Sequence, residues 1–588
     1  MVICGGGLAG LLLARQLRRE FPELAVVVLE RTSRPLRDAC HKVGESSVEL
    51  ASQYLERMGL CEYLLDRHLI KLGLRFFPGG GDLPLVQRTE IGPCAEPIVR
   101  SYQLDRGRLE SDLRGFIEED GATLIEDARV TGIEFGESGE DHVVSYEKDG
   151  ETRRVSARWA VDAAGRSALL RRKLKLTRGL QHEASAGWFR TPGRIDINDL
   201  VPAGETEWHA RACGPDRWRS TNHLMGVGYW AWLIPLSTGN TSVGLVIHDH
   251  VHHHRNVSSY ENMMAFLREH EPHLAAHLLG LEPSDYLCLR KYAHSMGRAW
   301  SEERWAMVGE AGAFVDPLYS PGSDFIALAN CFTTEMIRVD LAGGDLKSKA
   351  VQLNGHYRSM VNATTALFRN AAPVYGHPHA MATKVFWDNF TYWSFTCHFF
   401  QADLCRLSVE DYEPFIDIGQ RFLTLGHHIQ LLLQAWAELA PARPKPVFIG
   451  APHFPSVLID AHEKTGMKMT RDELLAYHRI RIPQLEELAR EIVLRVVQEL
   501  GPEKGRVALE RCGFASAGIE FTPERLETES LTGHPRRVRL STIARDLERT
   551  IGKIKRHPRA DLARELLAPS ARRTHEAARD ERDVIPAE

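Results

Sequence analysis

Gly5-Gly6-Gly7-Leu8-Ala9-Gly10 is a G-x-G-x-x-G hexapeptide, and Glu30 follows its last glycine by about 20 residues. Those residue types at that spacing suit the holding of a dinucleotide. The first glycine permits a tight turn, the second lets a pyrophosphate approach the backbone, and the third allows close packing of helix on strand. The phosphates then face the free N–H groups and positive dipole end of a helix N-terminus. Glu30, at the end of the next strand, is placed to hydrogen-bond a ribose hydroxyl pair, with Arg31 beside it. The hexapeptide alone does not separate FAD from NAD. A second feature is Trp230-Ala231-Trp232-Leu233-Ile234-Pro235. On a strand, residues two apart share a face, so Trp230, Trp232 and Ile234 form a stiff apolar wall. A third is Lys71, set in the apolar run Ile70-Lys71-Leu72-Gly73-Leu74. Burial depresses an amine's pKa and frees its lone pair.

The elements that must position these groups are legible in outline. Val2-Ile3-Cys4 reads as a short strand, Leu8, Leu11, Leu12 and Leu17 as a helical stripe, and Val26-Val27-Val28-Leu29 as a buried parallel strand. Tyr229–Leu236 and Thr241–Ile247 flank Ser237-Thr238-Gly239-Asn240, which predicts an antiparallel hairpin. Strand signals are dense over 90–250 and fade after about 346, where helical periodicity takes over. Pro483 is expected in a first helical turn, with Leu485, Leu488, Ile492 and Val496 on one face and Gly501 ending the helix. Prolines 441, 444, 446, 452 and 455 read as a linker, and residues 568–588 as a loose charged tail.

Composition removes several function classes. The chain has 588 residues, with 73 Lys+Arg against 78 Asp+Glu, a formal charge of −5. A dominant nucleic-acid surface is not expected at that balance. No uncharged apolar run is long enough to span a membrane, and the N-terminus lacks the features of a signal peptide, so a cytoplasmic protein is expected. Ten cysteines are scattered without a C-x-x-C pair, which reads as reduced thiols and no zinc site. His248-Asp249-His250-Val251-His252-His253-His254 lacks spaced ligand geometry and is read as an exposed polar loop, so no metal is expected. The run 386–400 holds eight aromatic residues and reads both as an interdomain core helix and as a lining for a planar substrate.

Further segments carry a resemblance. Arg106 in Leu104-Asp105-Arg106-Gly107-Arg108-Leu109, Asp162 in Val161-Asp162-Ala163-Ala164-Gly165-Arg166 and Gly309 in Met307-Val308-Gly309-Glu310-Ala311-Gly312 resemble, in order and spacing, the FAD-contacting motifs of the aromatic-hydroxylase class of flavoproteins. Glu310 stands where that class usually has Asp. The Trp230–Pro235 segment resembles the W-x-W-x-I-P signature of flavin-dependent halogenases. Val43-Gly44-Glu45-Ser46 is similar to that family's segment near the flavin, and the Lys71 segment to the one carrying its catalytic lysine. Phe314–Gly322, with Ser320 and Gly322, resembles its flavin- and halide-contacting F-x-x-P-x-x-S-x-G.

The resemblance covers about residues 1–345. It implies an α/β FAD-binding Rossmann-type domain with an inserted mixed β-sheet substrate region, to which helical periodicity adds a mainly α-helical C-terminal region. The corresponding divisions are 1–345, 346–567 and 568–588. It also implies FAD, supplied reduced by a separate flavin reductase, with oxygen and chloride or bromide as co-substrates. The product would be a halogenated electron-rich aromatic, free or carrier-bound. Trp230 and Trp232 would keep the aromatic from the flavin, and Lys71 would hold hypohalous acid or carry the halogen as a haloamine.

Two departures matter. Pro321 lacks the N–H that the halide turn would offer, which also leaves open a halide-independent monooxygenase or oxidase. Tyr319 stands where tryptophan halogenases have a glutamate, so the resemblance points to phenol- or pyrrole-like substrates.

Overall fold

The computed structural model describes residues 1–37, 42–137, 139–211, 214–440, 445–450, 454–513 and 541–553. The expected tail at 568–588 lies outside them. The first thirty residues fold as the sequence predicts. Val2–Cys4 forms a strand, Leu8–Glu20 a helix and Val27–Leu29 the next parallel strand. Their apolar side chains are needed because the strand Val2–Cys4 is central in its sheet and covered on both faces. The full order of this parallel sheet is Trp305–Met307, Ala160–Asp162, Val2–Cys4, Val27–Leu29 and Thr123–Ile125. Strands far apart in sequence therefore meet where the nucleotide motifs lie.

A second, eight-stranded mixed sheet carries the substrate side. The predicted hairpin is present: Tyr229–Pro235 pairs antiparallel with Asn240–His248, with Trp232 opposite Gly244. Alternation divides this strand between two cores. Trp230, Trp232 and Ile234 pack on one side of the sheet, and Tyr229, Ala231 and Leu233 on the other. The sheet continues through Thr221–Gly226, Leu74–Phe77 and Glu90–Ile91.

After residue 345 the described chain is mainly helical, with long helices Leu346–Phe368, Val409–Leu439 and Arg471–Cys512. Two expectations need correction. Pro483 does not open a helix, because that helix already starts at Arg471, fixed by a Thr470–Glu473 capping box. Gly501 does interrupt it, with φ 76°. Within the proline-rich stretch, Phe448–Ile449 is a strand that joins the eight-stranded sheet beside Glu90–Ile91. One apolar core runs from Phe76 through Trp230 to Trp436 and Ile551. Among the described residues, no helix is long and apolar enough to cross a membrane.

Candidate active site

The glycine turn has the shape a dinucleotide requires. Gly5 sits at φ 124°, and a Cβ there would lie 2.4 Å from the Ala163 carbonyl oxygen. A Cβ on Gly10 would lie 2.0 Å from the Gly5 oxygen, whereas one on Gly7 would meet nothing within 4 Å. Two glycines thus pack the turn, and the third leaves an open face before the helix Leu8–Glu20. Glu30 closes the turn by accepting hydrogen bonds from the Gly6 N–H (2.6 Å) and the Thr32 hydroxyl (2.7 Å), with Arg31 exposed beside it. Asp162 accepts from the backbone N–H groups of Ala164 (3.0 Å) and Leu170 (2.8 Å) and fixes the neighbouring turn. Gly309 (φ 59°) and Glu310 approach from the Trp305–Met307 side. Burial pushes the Glu310 carboxyl upward, against the charges of Arg166, Arg106 and Lys42. These residues fit an FAD nucleotide in shape and donor set.

Arg106 donates to the Val43 carbonyl (3.0 Å) and is bonded to Glu110 (2.5 Å), so it pins the segment that leads to Glu45 and Ser46. Glu45 is fully buried against Arg190 (2.5 Å), which also holds Asp285 (2.7 Å). Burial raises the Glu45 carboxyl despite that cation. Its carboxylate therefore locks this segment to the sheet.

Two cavities meet here. The smaller, about 50 Å³, is lined by Gly44, Ser46, His223, Trp230, Trp232, Ser320 and Gly322. The larger, about 500 Å³, is mostly apolar and receives Phe76, Tyr319, Trp387, Trp393 and Phe422 together with Lys71, Glu49 and Asp324. The segment 319–324 partitions them: Ser320, Gly322 and Ser323 face the small cavity, while Tyr319, Pro321 and Asp324 face the large one. A chain of ring contacts continues the partition. Trp232 and Trp230 lie 5.6 Å apart, Trp230 and His223 5.5 Å, and His223 and Phe76 4.8 Å. Burial holds the His223 imidazole neutral, with a pKa of about 3. The two indoles thus line the small cavity with Gly44, Ser46 and Ser320 and do not line the large one.

Trp232 seats over Gly244, where an added Cβ would fall 2.0 Å from the indole. Gly244→Ala is expected to displace that ring and destabilise the fold by about 1–3 kcal/mol. Tryptophan fluorescence and thermal unfolding measure both effects, and an unaltered emission spectrum with unaltered stability would show that the indole does not depend on this glycine.

Lys71 lies at the junction. It is 1% exposed, and its ammonium donates to the Ser46 hydroxyl (3.1 Å) and the Ser47 carbonyl. Burial lowers its pKa to about 8, opposed by the charges of Glu49 and Asp324. Glu49 pairs with His462 (3.2 Å) and is held below its usual range, because that hydrogen bond and nearby charge outweigh burial. Asp324 accepts from the Ala51 N–H (2.9 Å) and the Tyr392 hydroxyl (2.8 Å), and burial raises it to about 7.

Ser320 adopts a left-handed conformation (φ 57°) and precedes the helix Pro321–Leu341, so Pro321 occupies the first helical position, where its missing N–H costs the helix nothing. The aromatic run divides between core and cavity wall. Phe386, Phe390 and Phe395 are core, whereas Trp387, Tyr392 and Trp393 line the large cavity. A π-helical turn at Tyr392–Thr396 interrupts the helix here, a distortion frequent at functional sites.

Sequence reading missed Asp324, Glu49 and His223, because their roles depend on contacts far along the chain. It also misplaced His248, which is fully buried at the end of its strand. His182, His248 and Asp316 bring possible ligand atoms within 4.8 Å of one another. The Asp316 carboxylate already meets His182 (2.9 Å), the Tyr292 hydroxyl (2.8 Å) and the Leu318 N–H (3.0 Å). That arrangement anchors the start of the partition.

The chain matches an FAD-binding-domain family over residues 1–257. It is 26% identical over 430 residues to the flavin-dependent halogenase chlA of Dictyostelium discoideum, covering 67% of this chain and 69% of that one. It is 27% identical over 351 residues to the flavin-dependent halogenase armH5 of Armillaria mellea, covering 55% and 61% respectively. Among solved structures it is similar to halogenase PltM in complex with phloroglucinol and FAD, with a TM-score of 0.61 and 16% identity over 86% of this chain and 98% of that one. The flavin-dependent brominase Bmp2 gives a TM-score of 0.50 at 21% identity, over 63% and 86%. The structural likenesses establish the fold. The FAD-binding-domain match and the curated relatives support a flavin-dependent halogenase assignment, with flavin-dependent oxidoreductase chemistry.

Proposed function

We propose that the chain uses reduced FAD and oxygen to halogenate an electron-rich aromatic, phenol- or pyrrole-like, held in the large cavity. The observation that carries this reading is Lys71, buried where a cavity bearing the flavin motifs and paired indoles meets an aromatic-lined cavity of about 500 Å³. Gly5, Gly7, Gly10, Glu30, Arg31, Asp162, Gly309 and Glu310 hold the nucleotide, and Glu45 and Arg106 fix the loop beside it. Reduced FAD, when bound, supplies with oxygen the two-electron oxidation of halide to hypohalous acid. The N–H groups of Gly322 and Ser323, in the first turn of a helix, offer the halide a site near Ser320. Lys71 donates a hydrogen bond to hypohalous acid, or forms a haloamine from its neutral amine, and presents halogen to the ring. Trp230 and Trp232 keep the ring on the far side of the partition. A separate flavin reductase supplies reduced FAD, the protein is cytoplasmic, and the aromatic is either free or carrier-bound.

The reading is tested by giving the enzyme reduced FAD, oxygen and a panel of phenols and pyrroles, with and without chloride or bromide, and weighing the products. Halide-dependent replacement of ring hydrogen by halogen is expected. A hydroxylated product indifferent to halide would favour the second reading, a monooxygenase or oxidase on the same scaffold, which Pro321 motivates. One donor absent from an anion site is worth about 1.5–3 kcal/mol. Pro321→Thr is therefore expected to lower the halide KM ~10–100-fold. An unchanged KM would place halide elsewhere.

A further inference from the structure

Four carboxylates line the large cavity: Glu49, Glu96, Asp324 and Asp388. Three have a basic side chain at hydrogen-bond distance. Glu49 meets His462 (3.2 Å), Glu96 meets Arg219 (2.6 Å) and Asp388 meets Lys384 (2.9 Å). Asp324 differs. Its two oxygens accept one neutral hydrogen bond each, from the Ala51 N–H and the Tyr392 hydroxyl, and among the described residues no cation pairs with it. A carboxylate oxygen has two acceptor positions, so each keeps a lone pair for a further donor. Asp324 is 5% exposed and shares the cavity wall with Lys71. The placement is fixed from several sides. Asp324 lies in the first turn of Pro321–Leu341, Ala51 in the first turn of Glu49–Arg57, and Tyr392 in the π-helical turn, its hydroxyl in turn accepting from the Leu50 N–H (3.2 Å).

On the reading proposed above, we infer that Asp324 is the cavity's recognition site for a phenolic hydroxyl and takes its proton as the ring attacks the halogen. The phenol O–H bond breaks and its proton passes to an Asp324 oxygen. The freed pair enters the ring, and the carbon ortho or para to oxygen forms the carbon–halogen bond. The halogen–oxygen bond of hypohalous acid breaks, and the departing hydroxide takes a proton from the Lys71 ammonium and leaves as water. The ring hydrogen is then lost as a proton and, by way of water, restores that ammonium, while Asp324 returns its proton to oxygen. The ring is oxidised by two electrons and the halogen reduced by two. The net change is ArH plus HOX giving ArX plus water. With its pKa raised to about 7, Asp324 is a better-matched base for a phenol than a solvated carboxylate would be.

The experiment compares the FAD-loaded full chain with its Asp324→Asn variant on a phenol and on the same phenol's methyl ether. Hypohalous acid is followed separately by trapping with taurine. The expected result is a kcat/KM for the phenol lower by about 100-fold, with the ether rate and the trapped oxidant each within about twofold of wild type. For the phenol, wild-type kcat/KM should rise with pH through about 7, as Asp324 deprotonates, and Asp324→Asn should lose that limb. The other groups facing Asp324 are Lys71, the Glu49–His462 pair, Tyr392 and Cys397, and they stay in place in the variant. Tyr392→Phe removes a hydrogen bond that holds the Asp324 pKa down, so the same limb should move to higher pH.

Equal loss on phenol and ether, or no loss on either, would overturn the inference. An Asp324→Asn chain that no longer takes up FAD would leave the Tyr392→Phe shift to decide, and an unmoved limb there would overturn it. Wild type that yields neither trapped oxidant nor halogenated ring would instead overturn the halogenase reading and this inference with it.

Discussion

Lys71→Ala is expected to cut halogenated product by at least about 100-fold while FAD uptake stays at the wild-type level. The loss follows from what the ammonium does at its position. It is buried in the wall of the large cavity, and among the described residues it is the only lysine or arginine lining that cavity. Removing a positioned proton donor from a reacting group costs about 10²–10⁴ in rate. FAD uptake is preserved because Lys71 makes none of the hydrogen bonds that fix Glu30 and the glycine turn. Oxidation of reduced FAD by oxygen should also continue, and release of hydrogen peroxide measures it. The Ser46 hydroxyl keeps its Thr221 partner (3.0 Å), and Ser47 stays tied to the Tyr102 carbonyl through its own hydroxyl (2.9 Å), so the loop is not abandoned. Lys71→Arg should not rescue fully, because a guanidinium stays protonated and cannot form a haloamine. Wild-type product yield from Lys71→Ala would remove this residue from the chemistry.

The second large effect concerns stability. Glu90 is fully buried and receives Arg75 (2.6 Å), Arg217 (2.9 Å) and Arg211 (3.1 Å). Burial alone would raise its carboxyl, but these cations outweigh it and hold the pKa below the usual range. Ile91 of the same strand, and Gly92 and Pro93 just after it, enter the wall of the large cavity. Glu90→Ala removes the carboxylate that three arginines share, and breaking a buried pair from one side costs about 3–5 kcal/mol. The expected result is a strong loss of soluble, FAD-binding protein and a lower thermal unfolding midpoint. Glu90→Gln keeps two acceptor positions and should fall between. Stability unchanged in Glu90→Ala would mean that the arginines do not rely on this anion.

The legible part of the molecule is the part whose meaning is local. Gly5, Gly7, Gly10 and Glu30 lie within one strand–helix–strand unit, so type and spacing suffice to identify them. Trp230 and Trp232 share a face by strand alternation, and the hairpin around Gly239 follows from turn chemistry. Lys71 is marked in the sequence only by the resemblance of its segment to a family motif, and the fold establishes its burial. What stayed hidden depends on long-range contact. Asp324 acquires its setting from Ala51 and Tyr392, which are 273 and 68 residues away. Phe448–Ile449 gains its strand conformation from Glu90–Ile91, and the proline-rich surroundings gave the opposite signal. His248 belongs to the strand before it, while the histidines that follow disguised it as loop. At Pro483 the proline signal was weighed, but the Thr470–Glu473 capping box upstream decides where the helix begins.

The central claim is that oxidising power crosses a partition from flavin to ring in the form of an oxidised halide, with no transfer of oxygen to the ring. The direct measurement is turnover of a phenol with reduced FAD, bromide and ¹⁸O-labelled dioxygen, followed by mass analysis of the aromatic product and the water formed. The account predicts a ring bearing bromine and no ¹⁸O, with the label in water. A ring bearing ¹⁸O, formed equally well without bromide, would contradict it.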